Sequence, residues 1–420
     1  MNFKRSPLGQ TQFRNFISAR FLFTLSMQIQ FVSIAWFVYQ LTKDPMALGF
    51  IGLFEAIPAI SLSLLAGQWV DKLEKKSTFI VLTSIFWIVS VVAFGLVYAY
   101  SNNYISTEVC LKCIYCIVFL NGIKRSMLAP TIGAYWPSLV SKIWVPKASA
   151  TNSMFWQLAA IIGPIVGSYL IAKYAIVVAF LSVVLLMPIA IILLFKLPRA
   201  YPVRVVKYES VQRRIVEGLQ FVYTNKIMLG AMSLDLFSVF FAGVEAMIPV
   251  FAEEILKVGP TGFGWLRAAP SLGSFLILSY LAFVPSNTKT GKKLLFCVIA
   301  FGVSTLVFGL SNSFFLSFIM LFLSGIFDGF SVVVRGTINQ LLTPDHIRGR
   351  VSAVNSMFIS SSNELGAVES GFAAKTVGLV TSVVIGSCST IVIVFGIALS
   401  NPELRNFEIA NFTKKTNKIE

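Results

Sequence analysis

Long apolar stretches recur along the chain almost without pause, separated by short polar loops. A helix that crosses the hydrocarbon core of a bilayer needs about 20 apolar residues. Twelve stretches reach that length, so the pattern predicts twelve transmembrane helices. The predicted spans cover residues 14–41, 47–70, 78–100, 109–136, 149–172, 176–196, 228–253, 262–284, 294–311, 314–341, 352–374 and 377–399.

One long polar interruption divides these spans into six and six. The division predicts a six-helix bundle in each half, joined by a cytoplasmic linker and followed by a cytoplasmic tail. The expected boundaries are 1–196 for the N-terminal bundle, 197–226 for the linker, 227–400 for the C-terminal bundle and 401–420 for the tail.

The linker carries apolar residues at helical spacing, namely Val211, Ile215, Leu219 and Val222. Charged residues occupy the opposite positions. This pattern is typical of an amphipathic helix, which we expect to lie on the cytoplasmic membrane surface. A solvated linker helix is the alternative interpretation.

The two halves also repeat each other in sequence. With an offset of 203 residues and no gap, Phe119, Leu120, Gly122, Ile123, Gly133, Leu139, Ser149, Ala150, Asn152, Ser153 and Gly163 match identical residues of the second half. With an offset of 212, Gly52, Ala56 and Pro58 match Gly264, Ala268 and Pro270. Repeats in one orientation, six spans apart, predict two pseudo-symmetric bundles related by an axis along the membrane normal.

Composition and charge support a membrane protein. The chain is 56% hydrophobic and 12% charged, too apolar for a soluble protein of its length. Its net charge of +16 could indicate nucleic-acid binding, but most lysines and arginines fall on loops of one side. This asymmetry predicts a multi-pass protein of the cell (inner or plasma) membrane with both termini cytoplasmic, whose excess charge faces lipid headgroups.

Two motifs resemble signatures of the major facilitator superfamily. The segment GQWVDKLEKK between spans 2 and 3 resembles the superfamily's loop signature, with Gly67, Asp71, Lys72, Lys75 and Lys76 in the expected places. Glu74 stands where the family usually has a second glycine. In span 5, Gly163, Pro164 and Gly167 resemble the core of the antiporter signature, although its upstream glycines are missing.

Further blocks resemble the drug and siderophore exporter branch of that superfamily. They are IVEGLQFVYTNKIMLGAMSLDLF, MIPVFAEEIL, GWLRAAPSLGS, RGRVSAVNSMF and SSNELG, in this order. The resemblance implies an all-α fold of twelve transmembrane helices and a secondary transporter that works by alternating access. It also implies proton-coupled efflux of small amphipathic molecules, with a conformational role for the two motifs.

Charges inside predicted spans are costly, so each should face protein or a water-filled cavity. Carboxylates there are candidates for proton coupling: Asp328, Asp235, Glu245 and Glu369. We rank Asp328 first because Arg335, seven residues later, shares its helix face. The candidates for the substrate cavity are Arg335, Arg125, Lys124, Arg20 and Gln28. The alternative is an ion-pair network that only locks helices together.

No catalytic or cofactor motif is evident, so we expect neither an enzyme nor a bound cofactor or metal. Cys110, Cys113 and Cys116 form a stripe that no histidine or carboxylate completes, which favours packing. The expected partners are a small-molecule substrate, protons as coupling ion and the lipid bilayer, with the protein acting as a monomer. A nutrient importer of the same superfamily and a non-transporting membrane receptor or scaffold remain alternatives.

Overall fold

The computed structural model describes residues 6–200, 211–284, 288–344 and 347–410. Within these ranges, the side chains at positions 63, 64, 67, 68, 71, 211–215 and 353 are outside the description. The chain folds into two compact units. One comprises residues 1–208 and 257–268, and the other comprises 209–256 and 269–420.

A helix covers all or most of each of the twelve predicted spans. We number them α1 to α12: Thr11–Thr42, Pro45–Lys72, Lys75–Ser101, Thr107–Tyr135, Val145–Lys173, Ile176–Phe195, Lys226–Ala242, Gly259–Phe283, Thr290–Leu310, Phe314–Leu342, Arg348–Val377 and Leu379–Ser400. Among the described residues, ten helices are long and apolar enough to cross a membrane. The other two, α4 and α11, have 29 and 30 residues but carry more polar side chains. The arrangement therefore fits the predicted all-α membrane fold.

Helix starts follow local sequence rules. Asp44 accepts the Met46 amide at 3.0 Å, and Pro45 follows as the first residue of α2. Asn225 accepts the Met228 amide at 3.0 Å at the start of α7. Such side chains satisfy amide groups that the first turn of a helix leaves unpaired.

Helix α7 differs from its predicted span of 228–253. It ends at Ala242, and Gly243 adopts a non-helical backbone with ψ of 81°. A short 3₁₀ turn, Val244–Met247, and further helical turns then continue to Ile255. A Cβ at Gly243 would lie 2.3 Å from the Val239 carbonyl oxygen, so this break depends on glycine.

Residues matched between the two halves form the same helix crossing within each unit. In the first unit, Gly122 of α4 packs on Pro58 of α2, and an added Cβ would lie 2.3 Å from the Glu55 carbonyl oxygen. In the second unit, a Cβ on Gly325 of α10 would lie 2.0 Å from the Pro270 carbonyl oxygen of α8. Glycine allows this approach, and packing rather than exclusion of water holds helices together in lipid.

Each unit also has a strap, a segment after its last helix that folds back onto its third helix. In the first unit, the strap is Lys196–Ala200, and the carbonyl oxygen of Ala200 accepts a hydrogen bond from the Lys75 amide at 3.0 Å. Buried Tyr135 donates its hydroxyl to Pro198 O at 2.8 Å. In the second unit, the strap consists of the residues after Ser400, and the carbonyl oxygen of Phe407 accepts a hydrogen bond from the Gly291 amide at 2.9 Å.

The predicted linker helix is present as Val211–Thr224. It packs on the first turns of α11, where Glu217 pairs with Arg350 and Val222 is 2% exposed. Leu219, predicted on the same apolar face, is 42% exposed because α11 covers only part of that face. Residues 211–215 have no described side chains, and the position of the helix on the membrane surface stays a prediction.

Candidate functional site

Three charged residues of the second unit meet in one cluster. Arg335 of α10 pairs through Nη1 with Asp235 of α7, and its Nη2 lies 3.5 Å from Asp328 Oδ1. The spacing of seven between Asp328 and Arg335 predicted this shared face. Within the described part of the chain, Arg335 Nη1 makes no hydrogen bond of good geometry, so its contact with Asp235 is a charge pair.

The two carboxylates of this cluster differ in burial. The side chain of Asp235 is 9% exposed and that of Arg335 is 13% exposed, whereas that of Asp328 is 41% exposed. A buried arginine needs a close counter-ion, and Asp235 supplies it. Asp328 has the longer contact with Arg335 and the more exposed side chain of the two carboxylates.

The other two coupling candidates are placed differently. Glu245, in the turn after the break in α7, lies within electrostatic range of Asp328. Glu369 is half-buried on α11 and forms no ion pair with a described residue. The structure therefore brings Glu245 towards the cluster and leaves Glu369 apart from it.

In the first unit, Arg125 of α4 binds Glu55 of α2, with Nη1 and Oε1 3.0 Å apart. The sequence repeat aligns Glu55 with Arg267 of the other half and does not identify this pair. Only the crossing of α2 and α4 at Gly122 brings the two side chains together. Lys124, next to Arg125, is 4% exposed and forms no ion pair with a described residue.

Two other cavity candidates contact α5. Arg20 of α1 donates from Nη1 to Oδ1 of Asn152, which is 8% exposed. Gln28 packs by its Cβ against Gly163, where an added Cβ would lie 2.4 Å away. An added Cβ on Gly167 would lie 3.3 Å from the Cα of Ile29, so both glycines of the antiporter-like motif lie at the crossing of α1 and α5. Pro164 is buried between them.

The loop signature between α2 and α3 is only partly described. Gly67 and Asp71 have no described side chains, and Lys72 is exposed at the end of α2. Lys75 is 7% exposed and donates to Val70 O, while Lys76 donates to Phe195 O at 2.9 Å. The two lysines thus bind backbone carbonyls at the ends of α2 and α6.

Glu74, the departure from the family signature, has a structural role. Its Oε2 accepts the Ser77 amide at 3.2 Å as the cap of α3, and its Oε1 accepts the Ala200 amide at 3.3 Å. Slight burial alone would raise the pKa of Glu74, but the hydrogen bonds from Ser77 and Ala200 leave that pKa below its ordinary value. The carboxylate therefore connects α3 to the strap of the first unit.

We expect Glu74→Ala to lower the stability of the purified protein by on the order of 1 kcal/mol at pH 7. A carboxyl whose pKa is depressed by folding stabilises above its unfolded pKa and loses that effect as the pH falls. The difference from wild type should therefore shrink as the pH falls below about 4. Thermal unfolding at pH 7 and at a pH below about 4 measures this difference. Glu108→Ala, which removes an exposed carboxylate, is the control. Equal unfolding temperatures at pH 7 would contradict the role of Glu74.

The cysteine stripe forms no recognisable ligand set. Cys110 is buried, Cys113 is half-buried and Cys116 is exposed. Among the described residues, no group of three or more histidine, cysteine, aspartate or glutamate side chains could hold a metal ion.

Comparison with known proteins gives one family over nearly the whole chain. The model of the transmembrane secretion effector family matches residues 4–418. The chain is 24% identical to the staphyloferrin A transporter of Staphylococcus aureus, over 93% of this chain and 96% of that protein. It is 23% identical to the multidrug efflux pump Tap of Mycolicibacterium fortuitum, over 91% and 94%. It is 21% identical to the enterobactin exporter of Escherichia coli, over 60% of each.

Solved structures share the fold. The nucleoside transporter NupG aligns with a TM-score of 0.70 at 14% identity, over 95% of this chain and 99% of that one. The D-xylose-proton symporter aligns with a TM-score of 0.71 at 12% identity, over 95% and 98%. At these identities the likeness concerns the architecture alone.

Proposed function

This chain belongs to the transmembrane secretion effector family of the major facilitator superfamily, and from that premise we propose that it exports small amphipathic molecules in exchange for protons. The protein is a multi-span membrane transporter of small molecules and not an enzyme. Its direction and its coupling ion are the proposal. The relatives named as a multidrug efflux pump and as an enterobactin exporter support the outward direction.

The Asp235, Asp328 and Arg335 cluster carries the proposal for proton coupling. Its three charges sum to −1 when both carboxylates are ionised, and protonation of Asp328 makes the sum zero. A change of one charge in a low-dielectric site alters the relative stability of two conformations. Protonation from outside and release inside would then drive substrate outwards by alternating access.

The remaining parts of the proposal concern placement. We propose that the protein lies in the cell inner membrane as a monomer with both termini cytoplasmic. The halves 1–196 and 227–400 act as the two bundles, with 197–226 as linker and 401–420 as tail. Arg335 and Arg125 are proposed as anchors for anionic groups of a substrate, because guanidinium offers forked donors.

A deletion strain tests the substrate class. We expect hypersensitivity to amphipathic drugs or failure to release a siderophore, with each defect restored by the wild-type gene. Membrane vesicles then test the direction. A proton gradient should drive accumulation of the identified compound in inverted vesicles, while accumulation only in right-side-out vesicles would show an importer. Absence of flux in both would favour a receptor or scaffold.

A further inference from the structure

The first unit contains a small cavity between α1, α2, α3 and α4. Its volume is about 50 Å³. Its walls are mostly aliphatic and aromatic, and the polar side chains among them are Gln30, Glu55, Asn121 and Lys124. A water molecule occupies about 30 Å³ in the liquid, so the space suits one or two waters or one small ion.

Lys124 brings a positive charge to this cavity without a carboxylate partner. Its side chain is 4% exposed, and its ammonium lies 3.9 Å from the centre of the Phe86 ring and 5.4 Å from that of Phe23. No ion pair joins it to a described residue. Aromatic faces attract a cation, but they leave the remaining N–H groups of the ammonium unsatisfied.

Glu55 lies near two cations, Lys124 and Arg125. Its carboxylate lines the same cavity, but its Oε1 lies 3.0 Å from Arg125 Nη1. Glu55, Lys124 and Arg125 together therefore have a net charge of +1. A buried uncompensated charge is unfavourable, and a counter-ion in the cavity would remove that penalty.

Gln30 adds a second unsatisfied donor. Its side chain is 2% exposed, and its Nε2 has no hydrogen-bond acceptor among the described residues. Buried amide groups in folded proteins almost always have a partner, so this donor indicates a ligand or an ordered water. The ammonium of Lys124 and the amide of Gln30 belong to different helices and line one cavity.

We propose that this cavity binds one small monovalent anion through the N–H groups of Lys124 and Gln30. The anion is either chloride or a carboxylate group of a transported molecule. The net positive charge of the lining residues favours a negative ion, and the volume of the cavity limits its size. The apolar walls disfavour a strongly hydrated multivalent ion. The site lies in the first unit, whereas the proposed coupling residues belong to the second. The anion site therefore does not depend on the proposed direction of transport or on proton coupling.

Binding of radioactive chloride to the purified full-length protein in detergent tests the site directly. We expect one chloride per chain for wild type, with loss of binding in Lys124→Met and in Gln30→Leu. The second variant keeps the charge of Lys124 and removes only the amide donor. The matched control is Lys112→Met, because Lys112 lies on the same helix and is exposed beside Glu108.

Thermal unfolding in sodium chloride, sodium acetate or sodium gluconate at equal ionic strength distinguishes a site for free chloride from a site for the carboxylate group of a transported molecule. A bound anion should raise the unfolding temperature by about 3 °C over gluconate, in wild type and in the Lys112 variant only. An effect of chloride indicates the free ion, and an effect of acetate alone indicates a substrate carboxylate. Absence of chloride binding together with identical unfolding in all three salts would overturn the proposal and leave only water in the cavity.

Discussion

Asp328→Asn should abolish proton-driven transport while leaving the protein folded in the membrane. Asparagine keeps the shape of the side chain but can neither take up nor release a proton. The cluster loses one negative charge, but Arg335 keeps its ion pair with Asp235. Proton-driven accumulation in inverted vesicles should fall to the level of vesicles without the protein.

The matched variant is Asp235→Asn, which we expect to act on stability. Asp235 is the more buried partner of Arg335, and its loss leaves a buried guanidinium with only the longer contact to Asp328. Removing one partner of a buried ion pair costs about 3–5 kcal/mol. Thermal unfolding should therefore separate the two variants. Wild-type proton-coupled flux in Asp328→Asn would refute the assignment of Asp328.

Gly325→Ala should strongly reduce the amount of folded protein. Its Cβ would lie 2.0 Å from the Pro270 carbonyl oxygen, so α8 and α10 would have to separate. Overpacking of this kind costs about 1–3 kcal/mol or more, and the atom in the way is backbone that cannot rotate aside. Gly122→Ala should have a similar effect, because its Cβ would meet the Glu55 carbonyl oxygen at 2.3 Å.

The repeat supplies controls for both substitutions. Gly133 and Gly336 are matched by the same offset of 203 and lie on the same helices, α4 and α10. At neither position does a described atom outside the adjoining backbone of the same helix lie within 4 Å of an added Cβ. Gly133→Ala and Gly336→Ala should retain or slightly raise stability because alanine favours helix. The yield of monodisperse protein in size-exclusion chromatography measures all four variants, and equal yields would contradict the close-packed crossings.

The helices were predictable because the bilayer imposes a length and a polarity that a sequence displays directly. The repeat also predicted which helices correspond, and the structure confirms it where Gly122 and Gly325 meet the same matched segment of α2 and α8. The spacing of Asp328 and Arg335 on one helix sufficed to predict their shared face. These features depend on local periodicity or on identity between halves.

Contacts between helices were less predictable. Arg20 with Asn152 and Arg125 with Glu55 join residues far apart in sequence, and helix rotation decides such pairs. Gln28 was predicted for the substrate cavity, but its Cβ packs against Gly163 of α5, and Gln30 lines the small cavity of the first unit. Glu74 appeared only as a departure from a family signature, because its partner Ala200 belongs to a strap without periodic pattern.

The central claim is export driven by proton entry through Asp328. Inverted vesicles acidified inside by respiration, with a fluorescent pH probe, test it most directly. Adding the compound identified by the deletion strain should make the interior less acidic in wild-type vesicles, because protons leave as the compound enters, and should have no effect with Asp328→Asn. Accumulation of the compound without proton release in wild type, or equal proton release in both, would contradict the account.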